Sequence, residues 1–222
     1  MPNWCTNTIL ISGPSEDVSI LYKSLEEYKD EVKSKEKDPD ENLINMGSWI
    51  KDKFSDKLPE FTEEDYDYRL PSNFIVNYGY SVYDDQAYLA IHSESAWVSR
   101  MYALVKLIEV GFPKCIIHYR SEEPGLEYYI NTDESGYYLP ERWYYSNRFK
   151  SMSDEDMYKT LINDYADIIK DNNIVIPALI DDPEVSQIHE LVDSLIDYDE
   201  SLCVYQYSIG PEYDDKKVEI LK

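Results

Sequence analysis

Basic residues are scarce in this 222-residue chain: 21 Lys and Arg stand against 45 Asp and Glu, a formal net charge of −24. Such a field repels nucleic-acid phosphates and anionic lipid and attracts basic surfaces, so direct binding to nucleic acid or membrane is not expected. Cysteine is sparse as well. Cys5, Cys115 and Cys203 are odd in number, widely spaced, and form no CxxC pair. That excludes a disulfide framework and a zinc knuckle, and it reads as three reduced thiols in a cytosolic protein. Only 3 histidines and 7 glycines occur, and no glycine-rich phosphate loop, DxDxDG calcium loop or HExxH helix can be found. No apolar run approaches the roughly 18 residues that a membrane span requires. The opening MPNWCTN has no basic n-region, and no lipidation signal is visible. These absences point to a soluble, cytoplasmic protein with no motif for a cofactor, a metal or a reaction.

What is present is an ordinary apolar share, 43%, and an unusual one of tyrosine, 22 residues. The first supports a packed core. Residues 4–12, WCTNTILIS, alternate and end at Gly13–Pro14, which predicts a strand. Val18, Leu21, Tyr22, Leu25, Tyr28 and Val32 recur at helical spacing, so a helix is expected over about 15–34. Residues 33–42 are a charged loop, 43–54 a short helix, and 55–72 a long excursion with two prolines. Strands are expected at 74–83 and 86–93, a helix at 96–110 ending near Gly111, and a strand at 115–120. The turn EEPG leads to a strand at 126–132, and the turn DESG to a Tyr-rich strand near 137–145. Strand–helix–strand–strand–helix–strand is the order of a ferredoxin-like split βαβ unit, so the fold class is α+β: an antiparallel sheet with two packed helices.

The composition shifts near 150. Residues 151–222 hold 18 acids and 5 bases, a net of −13. Ser153 opens a capping sequence for one helix, and Pro183 sits in the first turn of a second. LCVYQYSI, 202–209, reads as a last strand. The expected organisation is therefore 1–150 as the sheet domain with an inserted 35–72 excursion, and 151–222 as an acidic, mainly helical subdomain with a final strand.

The opening MPNWCTNTILISG resembles the start of the Api92-like, or YubB-like, proteins of phages and plasmids, which carry a ferredoxin-like domain. NYGYSVYD at 77–84, SESAW at 93–97 and EEPG at 122–125 are similar to three further segments of that family. The likeness spans about 1–145. Tyr78 and Tyr83 stand where the family has tryptophans, and Ser121 stands where an aromatic would precede the E-P-G. The resemblance implies the fold and an origin on a mobile element. The family brings no settled activity.

Several clusters are candidates for chemistry. Trp4, Cys5 and Asn7 suggest a thiol site, but a thiolate needs a base or a positive field, and no histidine is near in sequence. The alternative is a strand whose Cys5 packs inward while Asn7 bonds a turn. His92 and His118 lie on strands flanking one helix, as in two-histidine phosphoesterases. The residues two places on, Glu94 and Arg120, are not the hydroxyls that chemistry uses. Glu122 and Glu123, or Asp133 and Glu134, form acid pairs that suit general acid–base work or a divalent cation, or else simply solvate turns. Tyrosine doublets at 128/129, 137/138 and 144/145 would each turn one ring outward on a strand, and such rings make binding surface.

The leading expectation is a non-enzymatic accessory protein of a phage or mobile element that binds a host protein, a basic, nucleic-acid-handling one. The contact residues expected are Trp4, Asn7, Tyr80, Trp97, Tyr128, Tyr138, Arg120 and Glu123. Two other readings stand beside it: a small-ligand binder for a nucleotide signal, with Arg120, Arg142 or Arg148 as its basic patch, and a two-histidine phosphoesterase.

Overall fold

A computed structural model describes residues 4–35, 45–62, 66, 72–80, 85–96, 101–176 and 185–209. It is a mixed α+β structure with a mostly antiparallel sheet. Two compact units divide between Thr132 and Asp133.

The first unit is built around β1 (Trp4–Pro14), which pairs antiparallel with β3 (Gln86–Ala96) on one side and β4 (Ile116–Glu123) on the other. β2 (Ser72–Tyr80) flanks β3, and β5 (Tyr128–Asn131) flanks β4, again antiparallel. The order across the sheet is β2-β3-β1-β4-β5. Alternation decides the faces. Cys5, Asn7, Ile9 and Ile11 of β1 are buried, as are Leu89 and Ile91 of β3 and Ile117 and Tyr119 of β4. The helix α1 (Ser15–Lys35) adds Val18, Leu21, Leu25 and Tyr28 to the same core, and α2 (Met46–Phe54) adds Trp49, Ile50 and Phe54. Asn45 caps α2, its Oδ1 accepting from the Ser48 N–H at 3.1 Å. Close approach requires Gly13: a Cβ there would lie 2.9 Å from the Cα of Cys115.

The helix expected at 96–110 is seen as α3 (Tyr102–Lys106), continued by a π turn, Leu107–Gly111; residues 97–100 lie outside the described residues. β4 runs to Glu123, so both glutamates of EEPG belong to the strand, and only Pro124–Leu126 turns.

The second unit begins at Asp133, earlier than the compositional shift near 150. Its small sheet has the order β7-β6-β8, with β6 (Trp143–Tyr145) between β7 (Lys150–Met152) and β8 (Val204–Gln206). Around it lie α4 (Asp154–Asp164), α5 (Ala166–Asp171) and α6 (Val185–Ile196). Trp143, Met157, Leu161, Ile188, Leu191 and Leu195 form its core. The boundary falls before 143 because Trp143 and Tyr145 bury their rings in this second core. Local charge carries no information about that choice. Ser153 caps α4 as expected, its Oγ accepting from the Asp156 N–H at 3.2 Å. The Tyr-rich strand expected at 137–145 is only three residues long. Residues 133–139 instead fold around the Asp133 carboxylate, which accepts four hydrogen bonds, from the N–H groups of Ser135, Tyr138 and Leu139 and from the Ser135 hydroxyl.

Candidate functional site

Strand register brings three of the resembling segments, the opening strand, SESAW and EEPG, to one end of the sheet, while residues 77–80 pair at the other end. Asn7 lies between Ser93 on β3 and Ser121 on β4, and Cys5 is opposite Ser95. All are on the core-facing side, and Glu123 shares that face by alternation from Ser121. These are polar residues at inward positions: Cys5, Asn7, Ser93, Ser95, Ser121 and Glu123 are each at most 4% exposed.

Asn7 is the hub. Its Oδ1 accepts from the Ser121 hydroxyl at 2.7 Å and faces the Cys5 thiol at 3.7 Å. Its Nδ2 donates to Ser95 Oγ at 3.0 Å and to the Cys5 carbonyl at 3.2 Å. Thus Ser121, which replaces the aromatic expected from the family likeness, completes the hydrogen bonding of Asn7. Glu123 Oε1 accepts from the Gly125 N–H at 3.1 Å, whereas Glu123 Oε2 and Ser93 Oγ are buried with no hydrogen-bond partner among the described residues.

The chemistry of this cluster is not nucleophilic. Burial pushes the Cys5 thiol up to about 12, against a smaller opposing effect of its hydrogen bond with Ser95. A thiol with that pKa stays protonated at neutral pH and does not attack. Cys115 is likewise raised by burial, to about 11.

The opposite face of the same strands carries Trp4, Thr6, Thr8 and Leu10 of β1, Tyr88, His92 and Glu94 of β3, and Ile116, His118, Arg120 and Glu122 of β4. Trp4 is 51% exposed, Tyr88 48% and Ile116 53%. Tyr88 lies over Gly79 of β2, where a Cβ would meet its ring. His92 is opposite Thr8, whose Oγ1 lies 3.4 Å from its Nδ1, while His118 is opposite Leu10. The two histidines therefore stand on either side of β1, one same-face step out of register. Arg120 Nε is 3.1 Å from the Glu122 carboxylate.

The remaining expected contact residues scatter. Tyr128 is half-buried against the first core and Tyr129 is buried, so that doublet gives no free outward ring. Tyr144 and Tyr145 are both buried, Tyr145 in the core of the second unit, so this doublet gives no outward ring either. Tyr138 is 37% exposed and Tyr137 82%, their rings edge to face at 4.9 Å, in a loop instead of a strand. Tyr80 ends β2, and Trp97 lies outside the described residues. Sequence reasoning did not single out Ser93, Ser95, Tyr88 or Ile116. The signal for the serines was available: they hold inward parity in a strand whose other inward residues are Ala87, Leu89 and Ile91.

Among the described residues, no group of three or more His, Cys, Asp or Glu is placed to hold a metal, and no helix is long and apolar enough to cross a membrane. No protein-family model, curated protein or solved structure matches the chain.

Proposed function

We propose that the chain is a non-enzymatic accessory protein of a phage or mobile element that acts in the cytoplasm by binding a basic host protein, one that handles nucleic acid. The first unit is read as a ferredoxin-like module of the YubB-like kind. Its antiparallel order β2-β3-β1-β4, with helical segments after β1 and between β3 and β4, supports that reading.

The observation that carries the function is the uncovered part of the sheet face. Tyr88 and Ile116 present apolar area on either side of Ser12 at one end of that face, and Trp4 does so beside Glu94 at the other end, in a chain of net charge −24. Exposed aromatic anchors on an acid-rich chain suit a partner with apolar pockets and a positive rim. The protonated Cys5 and the non-convergent histidines favour binding over hydrolysis.

The test is a binding assay against the basic protein that the wild-type chain retains from host lysate, with purified components and varied salt. Association should slow as salt rises, because steering between opposite charges is screened over roughly 8–10 Å. Tyr88→Ala and Trp4→Ala should each speed dissociation about tenfold or more, as hot-spot aromatics do. Tight binding to free DNA or RNA, or a partner indifferent to both salt and these two variants, would overturn the reading.

A further inference from the structure

The open face of the first sheet carries exposed apolar side chains at two points a fixed distance apart. Trp4 stands at one end of β1, and Tyr88 and Ile116 flank Ser12 at the other. From residue 4 to residue 12 the strand rises about 27 Å, at roughly 3.4 Å per residue. Tyr88 and Ile116 stand on the two strands either side of β1, with backbones about 10 Å apart, which leaves the width of one side chain above Ser12. One same-face step from Trp4, about 7 Å along the sheet, is the row of Thr6 and Glu94. Glu94 is exposed and forms no ion pair among the described residues.

Backbone chemistry restricts what covers this face. β1 and β3 each lie between two partner strands, so their N–H and C=O groups are spent within the sheet. An extended segment laid on the face finds no ladder to join, and its own backbone groups are buried unpaired. A helix brings its backbone already bonded, and its dimensions match the anchors. A helix of 18 residues rises about 27 Å in five full turns, so residues i and i+18 point in one direction. Residue i+4 lies on the same side, about 6 Å along, close to the spacing between the Trp4 and Glu94 rows.

We propose that this face receives an amphipathic helix of the basic partner, lying along β1, with apolar side chains at i and i+18 and a Lys or Arg at i+4. The first apolar residue packs on Trp4, the second enters between Tyr88 and Ile116, and the cation meets Glu94. The positive end of the helix then lies toward Glu94 as well. The inference rests on the function proposed above and specifies the element that the face recognises.

The experiment is an amide chemical-shift titration of the full chain, at constant ionic strength, with a 24-residue helical peptide of alanine and glutamine. The peptide carries leucine at its third and twenty-first positions and lysine at its seventh, and every peptide used has two further lysines on the far side. Saturable shifts are expected at both ends of the face, at Trp4 and at Tyr88 and Ile116. Moving the second leucine to the nineteenth position turns it about 160° away from the first, and affinity should fall about tenfold, as on loss of an anchor. Glutamine at the seventh position should weaken binding about threefold, the size of an exposed ion pair. Glu94→Gln in the protein should remove most of that threefold difference. No saturable shift, shifts at one end only, or equal affinity for the two leucine registers would overturn the helix, and an undiminished lysine–glutamine difference in Glu94→Gln would overturn the contact with Glu94. Retention of a basic host protein through Trp4 and Tyr88, combined with equal affinity for the two registers, would remove the helix and leave the function proposed above. Register-selective peptide binding by a chain that retains no basic host protein would do the reverse.

Discussion

Raising the pH tests the interior of the first unit through Cys5. The thiol is fully buried, and burial lifts it to about 12 from an ordinary value of 9.0. The unfolded chain releases this proton near the ordinary value, while the native protein keeps it until about three units higher. Between those limits the unfolded state binds fewer protons, so stability falls as pH rises. At pH 10.5 the difference amounts to about 2 kcal/mol relative to pH 8, and it grows by about 1.4 kcal/mol for each further pH unit until the native thiol ionises. Other groups titrate in the same window, among them Cys115 and the buried Tyr158, both raised by burial. The contribution of Cys5 is therefore isolated by difference. Urea unfolding of the wild-type chain and of Cys5→Ala should be measured at pH 8 and pH 10.5. The wild-type protein should lose about 2 kcal/mol more than the variant between the two pH values. Equal losses would mean that the native thiol titrates like an exposed one, and the non-nucleophilic reading of the cluster would fall with it.

Asn7→Leu should cost about 2–4 kcal/mol in urea unfolding, because it removes the acceptor of the buried Ser121 hydroxyl and the donor to Ser95 Oγ; a loss below about 0.5 kcal/mol, the level of a neutral surface change, would show that Asn7 is not the hub. Gly13→Ala should destabilise by about 1–3 kcal/mol, since its new Cβ would sit 2.9 Å from the Cα of Cys115 and backbone must move; an unchanged thermal midpoint would contradict that crowding. Thiol labelling of the native protein at pH 8 should modify the partly exposed Cys203 first and leave Cys5 until unfolding, with all three thiols found after denaturation without reductant. Rapid labelling of Cys5, or fewer than three free thiols, would count against the burial described here.

Residues 4–35 were legible in the sequence because their local signals are strong. WCTNTILIS is rich in β-branched residues and stops at Gly13–Pro14, which marks a strand, and Val18, Leu21, Leu25 and Tyr28 repeat with helical period, so the buried face of the helix follows from local spacing. The Ser153 cap was readable for the same reason, since capping is a contact between residues three apart. Chemistry that depends on composition was equally accessible: the acid excess, the lack of phosphate-loop and metal motifs, and the three unlinked cysteines.

Pairing between distant strands was not accessible, and it decided the rest. Asn7, Ser93 and Ser121 become neighbours only because β1 lies between β3 and β4 in one register, and a shift by a single residue would turn all three to the other face. Long-range packing likewise placed Tyr144 and Tyr145 inside, although an isolated strand would expose one ring of each doublet. It also moved the unit boundary to Asp133, because core membership follows from which surfaces meet, and the charge of a segment does not specify its neighbours. In the sequence Arg142 was one of three arginines offered as a basic patch, with nothing to set it apart from Arg120 and Arg148. Its burial arises from the loop around Asp133, whose Glu134 carbonyl accepts from its side chain, and that placement is determined only by long-range packing.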